Sequence, residues 1–188
     1  LFFTDTNRGW AVANGGIIIV TANGGTNWEL KNSGTANALN SVFFINNTTG
    51  WVAGAAGTIR KSTDGGENWG AQVSGTGNTL NSIFFIDANT GWAVGETGTI
   101  LKTVNGGDNW NAQVSGTTSN LKSVCFSSST YGWAVGEEGT ILYTTDGGAN
   151  WIKRDASSSL AFNRVFLTGK NTGWIVGDYC LIKLVNGD

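Results

Sequence analysis

Nine tryptophans recur along this 188-residue chain with one fixed spacing. Five of them follow a glycine and lie 41 residues apart: Trp10, Trp51, Trp92, Trp133 and Trp174. The other four follow an asparagine and are again 41 residues apart: Trp28, Trp69, Trp110 and Trp151. A fixed period of this length indicates a repeat architecture, in which each unit buries its apolar surface against its neighbours.

Each repeat unit is predicted to contain four short strands. The two complete units, residues 39–79 and 80–120, are identical at 24 of 41 positions. In the first of them we expect strands at 39–45, 51–53 and 58–63 and a fourth that starts near Trp69. Turns rich in Gly and Asn separate them, and these residues accept the positive φ angles of tight turns. No segment has a helical apolar period, and four strands in 41 residues are typical of a propeller blade.

The strands are apolar on both faces, as in the run Val42-Phe43-Phe44-Ile45. Because side chains alternate between faces, such a strand lies between two other layers, as a blade does between its neighbours. A solenoid is the alternative, but it would keep one solvated face and need capping repeats. We therefore predict one all-β domain over 1–188, a five-bladed β-propeller of 41-residue four-stranded repeats. The blades are expected at about 1–38, 39–79, 80–120, 121–159 and 160–188.

The last blade is expected to lack its outer strand. Alignment on the Gly-Trp pairs places Leu1 opposite Val42, inside a first strand, and Asp188 opposite Gly147, inside a turn. The segment 181–185 would then be an exposed apolar strand edge, which is a template for strand addition. Residues before Leu1, a neighbouring copy or a protein partner would occupy it. The candidate strand-addition residues are Leu181, Ile182 and Leu184.

Composition excludes several functions. The chain has no His, and its 13% of charged residues gives a net charge of −2. These counts exclude His-based catalysis and His metal ligands and argue against nucleic-acid binding, so we expect no metal and no cofactor. No apolar run approaches the ~18 residues of a membrane span and no signal-peptide pattern occurs, so no membrane insertion is expected. Cys125 and Cys180 are expected to be free thiols, with a bridge between them as the alternative.

A second motif recurs in the turn before each Asn-Trp pair. Residues 62–69, Ser-Thr-Asp-Gly-Gly-Glu-Asn-Trp, resemble the Asp-box, or bacterial neuraminidase repeat, Ser/Thr-x-Asp-x-Gly-x-x-Trp. Copies follow the same spacing at 21–28, 103–110 and 144–151, with Asn23 and Asn105 at the Asp position. We expect the Asp or Asn side chain to bond backbone N–H groups of its own turn, so that the motif is structural.

The whole unit, L-x-S-V-x-F-x5-G-W-A-V-G-x-x-G-T-I-L-x-T-x-D-G-G-x-N-W, is similar to the propeller family of the photosystem II stability and assembly factors. The resemblance covers essentially all of the chain. For the photosynthetic members it implies an assembly chaperone that binds a membrane-protein precursor, with an arginine-rich patch implicated. The present chain departs from that pattern because its four arginines lie in different blades and strand phases: Arg8, Arg60, Arg154 and Arg164.

Asp-box propellers also include sialidases and other glycosidases. A sialidase site needs an arginine triad and a Tyr–Glu pair, and neither is evident among these scattered arginines and three tyrosines. We therefore predict no catalytic residues and a protein-binding or scaffold propeller. A multivalent lectin and a designed or reconstructed repeat protein without a natural ligand are the alternatives. Low charge, polar composition and export in similar families indicate a secreted or periplasmic protein.

The candidate binding residues lie in the turns between the second and third strands. By analogy with other propellers, these turns share one end of the molecule with the connections between blades. Their tips are acidic in three neighbouring blades. A basic peptide or another polar partner could bind such an arc, whereas the alternative is that these acids only keep the turns soluble. The residues of the arc are Glu96, Glu137, Glu138, Asp178 and Tyr179.

Overall fold

The computed structural model describes residues 1–156, 159–169 and 172–185 and confirms an all-β, five-bladed propeller. Five antiparallel sheets follow one another along the chain, and in each sheet consecutive strands are hydrogen-bonded neighbours. Four sheets have four strands, and the fifth has three among the described residues.

The strand bounds repeat from blade to blade. Blade one contains β1 (Phe2–Phe3), β2 (Gly9–Val12), β3 (Ile17–Thr21) and β4 (Glu29–Asn32). Blade two contains β5 (Leu39–Phe44), β6 (Gly50–Gly54), β7 (Ile59–Ser62) and β8 (Gly70–Gln72). Blade three contains β9 (Leu80–Phe85), β10 (Gly91–Gly95), β11 (Ile100–Thr103) and β12 (Asn111–Gln113). Blade four contains β13 (Leu121–Phe126), β14 (Gly132–Gly136), β15 (Ile141–Thr144) and β16 (Ile152–Arg154). Blade five contains β17 (Phe162–Gly169), β18 (Thr172–Gly177) and β19 (Cys180–Val185).

At the first three junctions between blades, a stacked Trp–Phe pair joins one blade to the next. The Gly-Trp tryptophan of one blade lies flat on a phenylalanine from the first strand of the following blade. The pairs are Trp10–Phe44, Trp51–Phe85 and Trp92–Phe126, with ring centroids 3.6, 3.6 and 3.5 Å apart. Each of these indoles also donates a hydrogen bond of 2.9–3.1 Å into the following blade, to the carbonyl oxygens of Gly65, Gly106 and Gly147. From Trp10 to Trp92, the 41-residue period is therefore the period of one inter-blade contact.

The glycine before each of these tryptophans makes room for a phenylalanine. Gly91 lies opposite Phe85 in the β9–β10 ladder, and a Cβ atom on Gly91 would lie 2.5 Å from the Phe85 ring. The Asn-Trp residue Trp110 meets the same ring edge-on, with centroids 5.8 Å apart. Gly-Trp, Asn-Trp and Phe therefore form one aromatic cluster at each of the first three junctions, which explains why six of the nine tryptophans follow the repeat.

A basic side chain lies beside every Gly-Trp tryptophan. The five cations lie 5.5–5.7 Å from the ring centroids, a distance at which the negative face of an indole attracts a positive charge. Two come from Arg8 and Arg154, and three are lysines: Lys61, Lys102 and Lys183. Five of the 11 basic residues therefore lie against the ring of a Gly-Trp tryptophan.

We call the turns at 21–28, 62–69, 103–110 and 144–151 the box turns. In the second of them, Ser62 Oγ accepts a hydrogen bond from the Gly66 N–H at 2.8 Å, and Asp64 Oδ1 accepts one from the Asn68 N–H at 3.0 Å. The backbone N–H of Asn68, followed by its side-chain amide, lowers the pKa of Asp64 to about 2. Asn150 lowers the pKa of Asp146 to about 2 in the same way.

These lowered pKa values predict a loss of stability in acid. Each carboxylate stabilises the fold above its ordinary pKa of 3.8, and this contribution disappears as the pH falls to about 2. Asn23 and Asn105 accept the same backbone bond in their own box turns, at 2.9 and 3.0 Å. We therefore expect the Asp64→Asn/Asp146→Asn protein to fold at neutral pH. Its denaturant-unfolding free energy should vary less between about pH 4 and pH 2. An unchanged pH dependence would contradict this account.

Candidate functional site

Hydrogen bonds between turns define two ends of the propeller. At one end, the turn between the second and third strands bonds to the connection that enters its blade. The backbone N–H groups of Glu96, Glu137 and Asp178 donate to the carbonyls of Thr79, Asn120 and Ala161, each at 2.9 Å. At the other end, the box turn bonds to the turn after the first strand, as from Gly65 N to Thr48 O at 2.8 Å. All five predicted binding residues lie at the first end, in blades three, four and five, and we call them the acidic arc.

Each carboxylate of the acidic arc accepts one hydrogen bond from a nearby connection or strand. The pairs are Glu96 with Thr79 N, Glu137 with Asn120 Nδ2, Glu138 with Ser119 Oγ and Asp178 with Asn163 Nδ2, at 3.0, 2.9, 2.8 and 2.8 Å. The ammonium of Lys122 lies 3.7 Å from Glu137. Because an ionised carboxylate has about four acceptor positions, these bonds fix the acids in place and leave them able to accept more.

The residue at the tip of each of these turns has a left-handed backbone, and in blades one to four the glycine after it does too. The φ angles are 69° at Gly15, 52° at Ala56, 52° at Thr97, 54° at Glu138 and 60° at Tyr179. Glycine adopts this conformation freely, whereas other residues do so at a cost of about 1–2 kcal/mol. Four blades nevertheless carry a side chain here, and its type changes from blade to blade while the Gly-Trp pair does not. Because the conformation occurs in all five blades, it belongs to the geometry of the turn, and what changes from blade to blade is the side chain that the turn presents.

Tyr179 is the most conspicuous of these side chains because its relative exposure is 102%. An aromatic ring that is fully exposed contributes nothing to a core, yet it presents a large apolar face and a polar tip to a partner. Asp178 precedes it in the same turn and is also exposed. The arc thus ends in an aromatic ring beside a carboxylate.

The predicted strand-addition residues divide between surface and core. Within the described residues β19 is hydrogen-bonded to β18 and forms the edge of its sheet. Leu181 is 64% exposed and Ile182 is half-buried, whereas Leu184 is buried against blade four. Alternation along the strand explains the difference, since Leu184 and Leu181 point to opposite faces. Strand addition at this edge stays a prediction, with Leu181 as its exposed side chain.

The family model of the photosynthesis system II assembly factor YCF48 matches residues 1–75 and 108–186. The chain belongs to this family. No curated protein matches its sequence. Among solved structures, YCF48 bound to D1 peptide is 17% identical over 98% of this chain and 90% of that one, with a TM-score of 0.57. YCF48 from Cyanidioschyzon merolae is 19% identical over 95% of this chain and 66% of that one, with a TM-score of 0.75.

Two GH74 enzymes are also similar in structure to this YCF48-family chain. An ancestral GH74 enzyme is 16% identical over 96% of this chain and 30% of that one, with a TM-score of 0.69. The Niastella koreensis GH74 enzyme is 17% identical over 90% of this chain and 31% of that one, with a TM-score of 0.73. At these identities, the likeness shows a shared propeller fold and nothing of the chemistry.

Three of the four arginines of this YCF48-family chain make contacts within the propeller, whereas Arg164 is exposed. Arg8 donates a hydrogen bond of 3.0 Å to the Gly65 carbonyl, and Arg60 donates one of 3.3 Å to the Trp69 carbonyl. Arg154 lies beside an indole of its own blade. The alignment of the repeats correctly placed these arginines in different blades. It did not predict that they would contact tryptophan rings and backbone carbonyls.

Three acids of this family member have a lowered pKa. The pKa values of Asp5, Asp64 and Asp146 are lowered, chiefly by backbone N–H donors, whereas a glycosidase acid requires a raised pKa.

No cluster of three or more potential metal ligands occurs among the described residues. Both cysteines are free, and burial raises the pKa of the Cys125 thiol. Among the described elements there is no helix of the length and apolarity needed to cross a membrane.

Proposed function

We propose that this YCF48-family chain is a non-catalytic, protein-binding propeller whose acidic arc binds a polypeptide segment rich in Arg or Lys. The observation that carries the proposal is Tyr179, a fully exposed ring held on a left-handed backbone beside Asp178. The similar fold of YCF48 bound to D1 peptide supports a polypeptide partner.

The chemistry of the arc suits a cationic segment. Four carboxylates lie in three consecutive blades, and Lys122 is the cation paired with them within the described residues. Unneutralised acids attract and orient a basic segment, and the Tyr179 ring offers a face to a guanidinium or ammonium group. Because main-chain hydrogen bonds hold Glu96, Glu137 and Asp178 against the blade connections, the site is preorganised and little freedom is lost on binding.

The lectin alternative has less support. A multivalent lectin needs an exposed aromatic platform in each blade, but the Gly-Trp tryptophans of blades one to four lie in the core. Tyr179 is exposed in blade five, and the corresponding residues of the other blades are Gly15, Ala56, Thr97 and Glu138. One aromatic position among five suits a single polypeptide partner better than a ring of equal sugar sites.

A synthetic unstructured peptide of arginine and glycine tests the proposal, with a serine–glycine peptide as the reference. We expect the Glu138→Gln/Asp178→Asn/Tyr179→Gly protein to bind the arginine peptide about tenfold more weakly, from loss of two ion pairs and one cation–π contact. The control is Asp87→Asn/Asp108→Asn, which removes two charges from the opposite end. Equal weakening in both proteins, or none in the first, would contradict the proposal.

Tyr179→Gly alone separates binding from stability. The substitution relieves the left-handed strain, so the protein should become about 0.5–1 kcal/mol more stable while it binds the arginine peptide less tightly. Ala56→Gly relieves the same strain in blade two without removing a ring, so it should stabilise the fold and leave binding unchanged. Denaturant unfolding and isothermal titration calorimetry measure the two effects.

Two further features belong to the same proposal. We propose that the exposed edge of β19 accepts a strand from a protein partner, which hydrogen exchange of the β19 amides would detect as partner-dependent protection.

We also propose a secreted or periplasmic location, which the low charge and polar composition of the chain support. Cell fractionation tests that location directly.

A further inference from the structure

Three asparagine–glycine pairs lie among the described residues, and each is followed by a second glycine. They are Asn14-Gly15-Gly16, Asn23-Gly24-Gly25 and Asn105-Gly106-Gly107. In such a pair the backbone nitrogen of the glycine can attack the asparagine Cγ, because a residue without a Cβ atom leaves room for the five-membered ring that forms. Since the three local sequences are the same, any difference in their reactivity comes from the fold. A fourth pair, at 186–187, lies outside the described residues.

Hydrogen bonds hold the two pairs of the box turns in an unreactive arrangement. The attacking nitrogens, of Gly24 and Gly106, each donate to a carbonyl oxygen of the turn after the first strand, at 2.9 and 2.8 Å. The side chains of Asn23 and Asn105 are also fixed. Each Oδ1 accepts the N–H of the residue four positions later, at 2.9 and 3.0 Å, and a threonine hydroxyl at 3.0 Å. These bonds must break before the nitrogen can reach the Cγ.

The pair at Asn14 lies in the turn between the second and third strands of blade one, and both of its residues are exposed. The Asn14 side chain makes no hydrogen bond to another described residue. In blade three the counterpart of Gly15, Thr97, donates its N–H to the side chain of Asn120 at 3.0 Å. At the corresponding position blade one has Ala38, whose side chain has no acceptor. A Cβ atom on Gly15 would meet no atom within 4 Å, so the ring has room to form.

We propose that Asn14 is a modification site, at which the folded protein loses a side-chain amide and gains a carboxylate. The Gly15 nitrogen gives up its proton and bonds to the Asn14 Cγ, and the side-chain nitrogen leaves as ammonia. Water then opens the five-membered imide at one of its two carbonyls, which gives aspartate or isoaspartate. The reaction is faster at higher pH because the attacking nitrogen must be deprotonated.

The product has a carboxylate at a position where three other blades already carry an acid. Position 14 aligns with Glu96, Glu137 and Asp178, and Asp178 shows that this turn accepts an aspartate. The modification adds one negative charge to the net charge of −2 and a fourth blade to the acidic arc. We expect a stronger attraction for a cationic segment. This consequence rests on the proposed function, whereas the modification itself does not.

Peptide mapping by mass spectrometry, after incubation at neutral and at mildly alkaline pH, tests the proposal. In a denatured sample Asn14, Asn23 and Asn105 should be modified at similar rates, because their local sequences are the same. In the folded protein we expect Asn14 to be modified at least about tenfold faster than the other two, which must first break their hydrogen bonds. Gly15→Ala is the control. Ala56 has the same left-handed conformation in blade two, so the fold should be kept while the added methyl group slows ring closure.

Two results would overturn the proposal: an Asn14 that is retained in the folded protein, and equal rates at the three sites of the folded protein. Calorimetric titration of Asn14→Asp with the arginine–glycine peptide measures the consequence separately. We expect this variant to bind about two- to threefold more tightly than the parent. Unchanged binding would contradict the consequence. A parent that does not bind the peptide would contradict the acidic arc and leave the modification site in place.

Discussion

Replacement of Trp92 by alanine should lower the free energy of unfolding by about 3–5 kcal/mol, the range for a large aromatic side chain removed from a core. Trp92 is fully buried and stacks on Phe126 at 3.5 Å. Its indole donates to the Gly147 carbonyl at 3.1 Å, so the substitution also leaves a buried acceptor without its donor. Denaturant unfolding of parent and variant measures the loss.

Trp174→Ala is the matched control, because Trp174 has the same position in the repeat but no Phe stacked on it within the chain. We expect it to lower the free energy of unfolding by about 1 kcal/mol, since its surface is only partly removed from water. Equal losses at Trp92 and Trp174 would mean that the inter-blade stack does not stabilise the fold.

Gly91→Ala should destabilise the protein by about 3 kcal/mol, although alanine is ordinarily a better strand residue than glycine. The added Cβ would lie 2.5 Å from the Phe85 ring. Phe85 cannot move away easily, because Trp51 stacks on it at 3.6 Å and Trp110 meets its edge at 5.8 Å. Overpacking of this kind strains a close-packed core.

Gly77→Ala is the control for this second substitution. A Cβ atom on Gly77 would meet no atom within 4 Å, and its φ angle is not in the left-handed region. Alanine there should be neutral or stabilise the protein by a few tenths of a kcal/mol, through the unfolded chain. Thermal and denaturant melts that give the two variants the same stability would contradict the role assigned to the Gly-Trp glycine.

The tryptophan period predicted the blade number because each Gly-Trp tryptophan lies in the second strand of its own blade, and three of them make the same contact with the next blade. The strand bounds were less accurate around glycine. The second strand of blade two was predicted at 51–53, but it runs from Gly50 to Gly54. Glycine was taken as a turn former, whereas Gly50 belongs to the ladder because it faces the Phe44 ring. Packing against the Phe44 ring therefore places Gly50 in a strand, although glycine by itself favours a turn.

The candidate site was predicted in position but not in conformation. The acidic turn tips were found from the aligned repeats, and the structure brings them to one end of the propeller. The left-handed tip residue could not be predicted in blades three to five, because Thr97, Glu138 and Tyr179 are not residue types that favour a positive φ. Gly15 at the aligned position of blade one was the one hint. The cations beside the Gly-Trp tryptophans were not predicted either. Blades two, three and five use a lysine of the third strand, whereas the cation beside Trp133 is Arg154 of the outer strand.

Hydrogen exchange with and without the arginine–glycine peptide tests the central claim, that a structural propeller carries its binding surface on the acidic arc. We predict added protection at the turns around Glu96, Glu137 and Asp178 and in the connections at 79, 120 and 161 that are bonded to them. Exchange in the box turns at 62–69 and 103–110 should not change. Protection of the box turns, or protection spread equally over both ends, would contradict the claim.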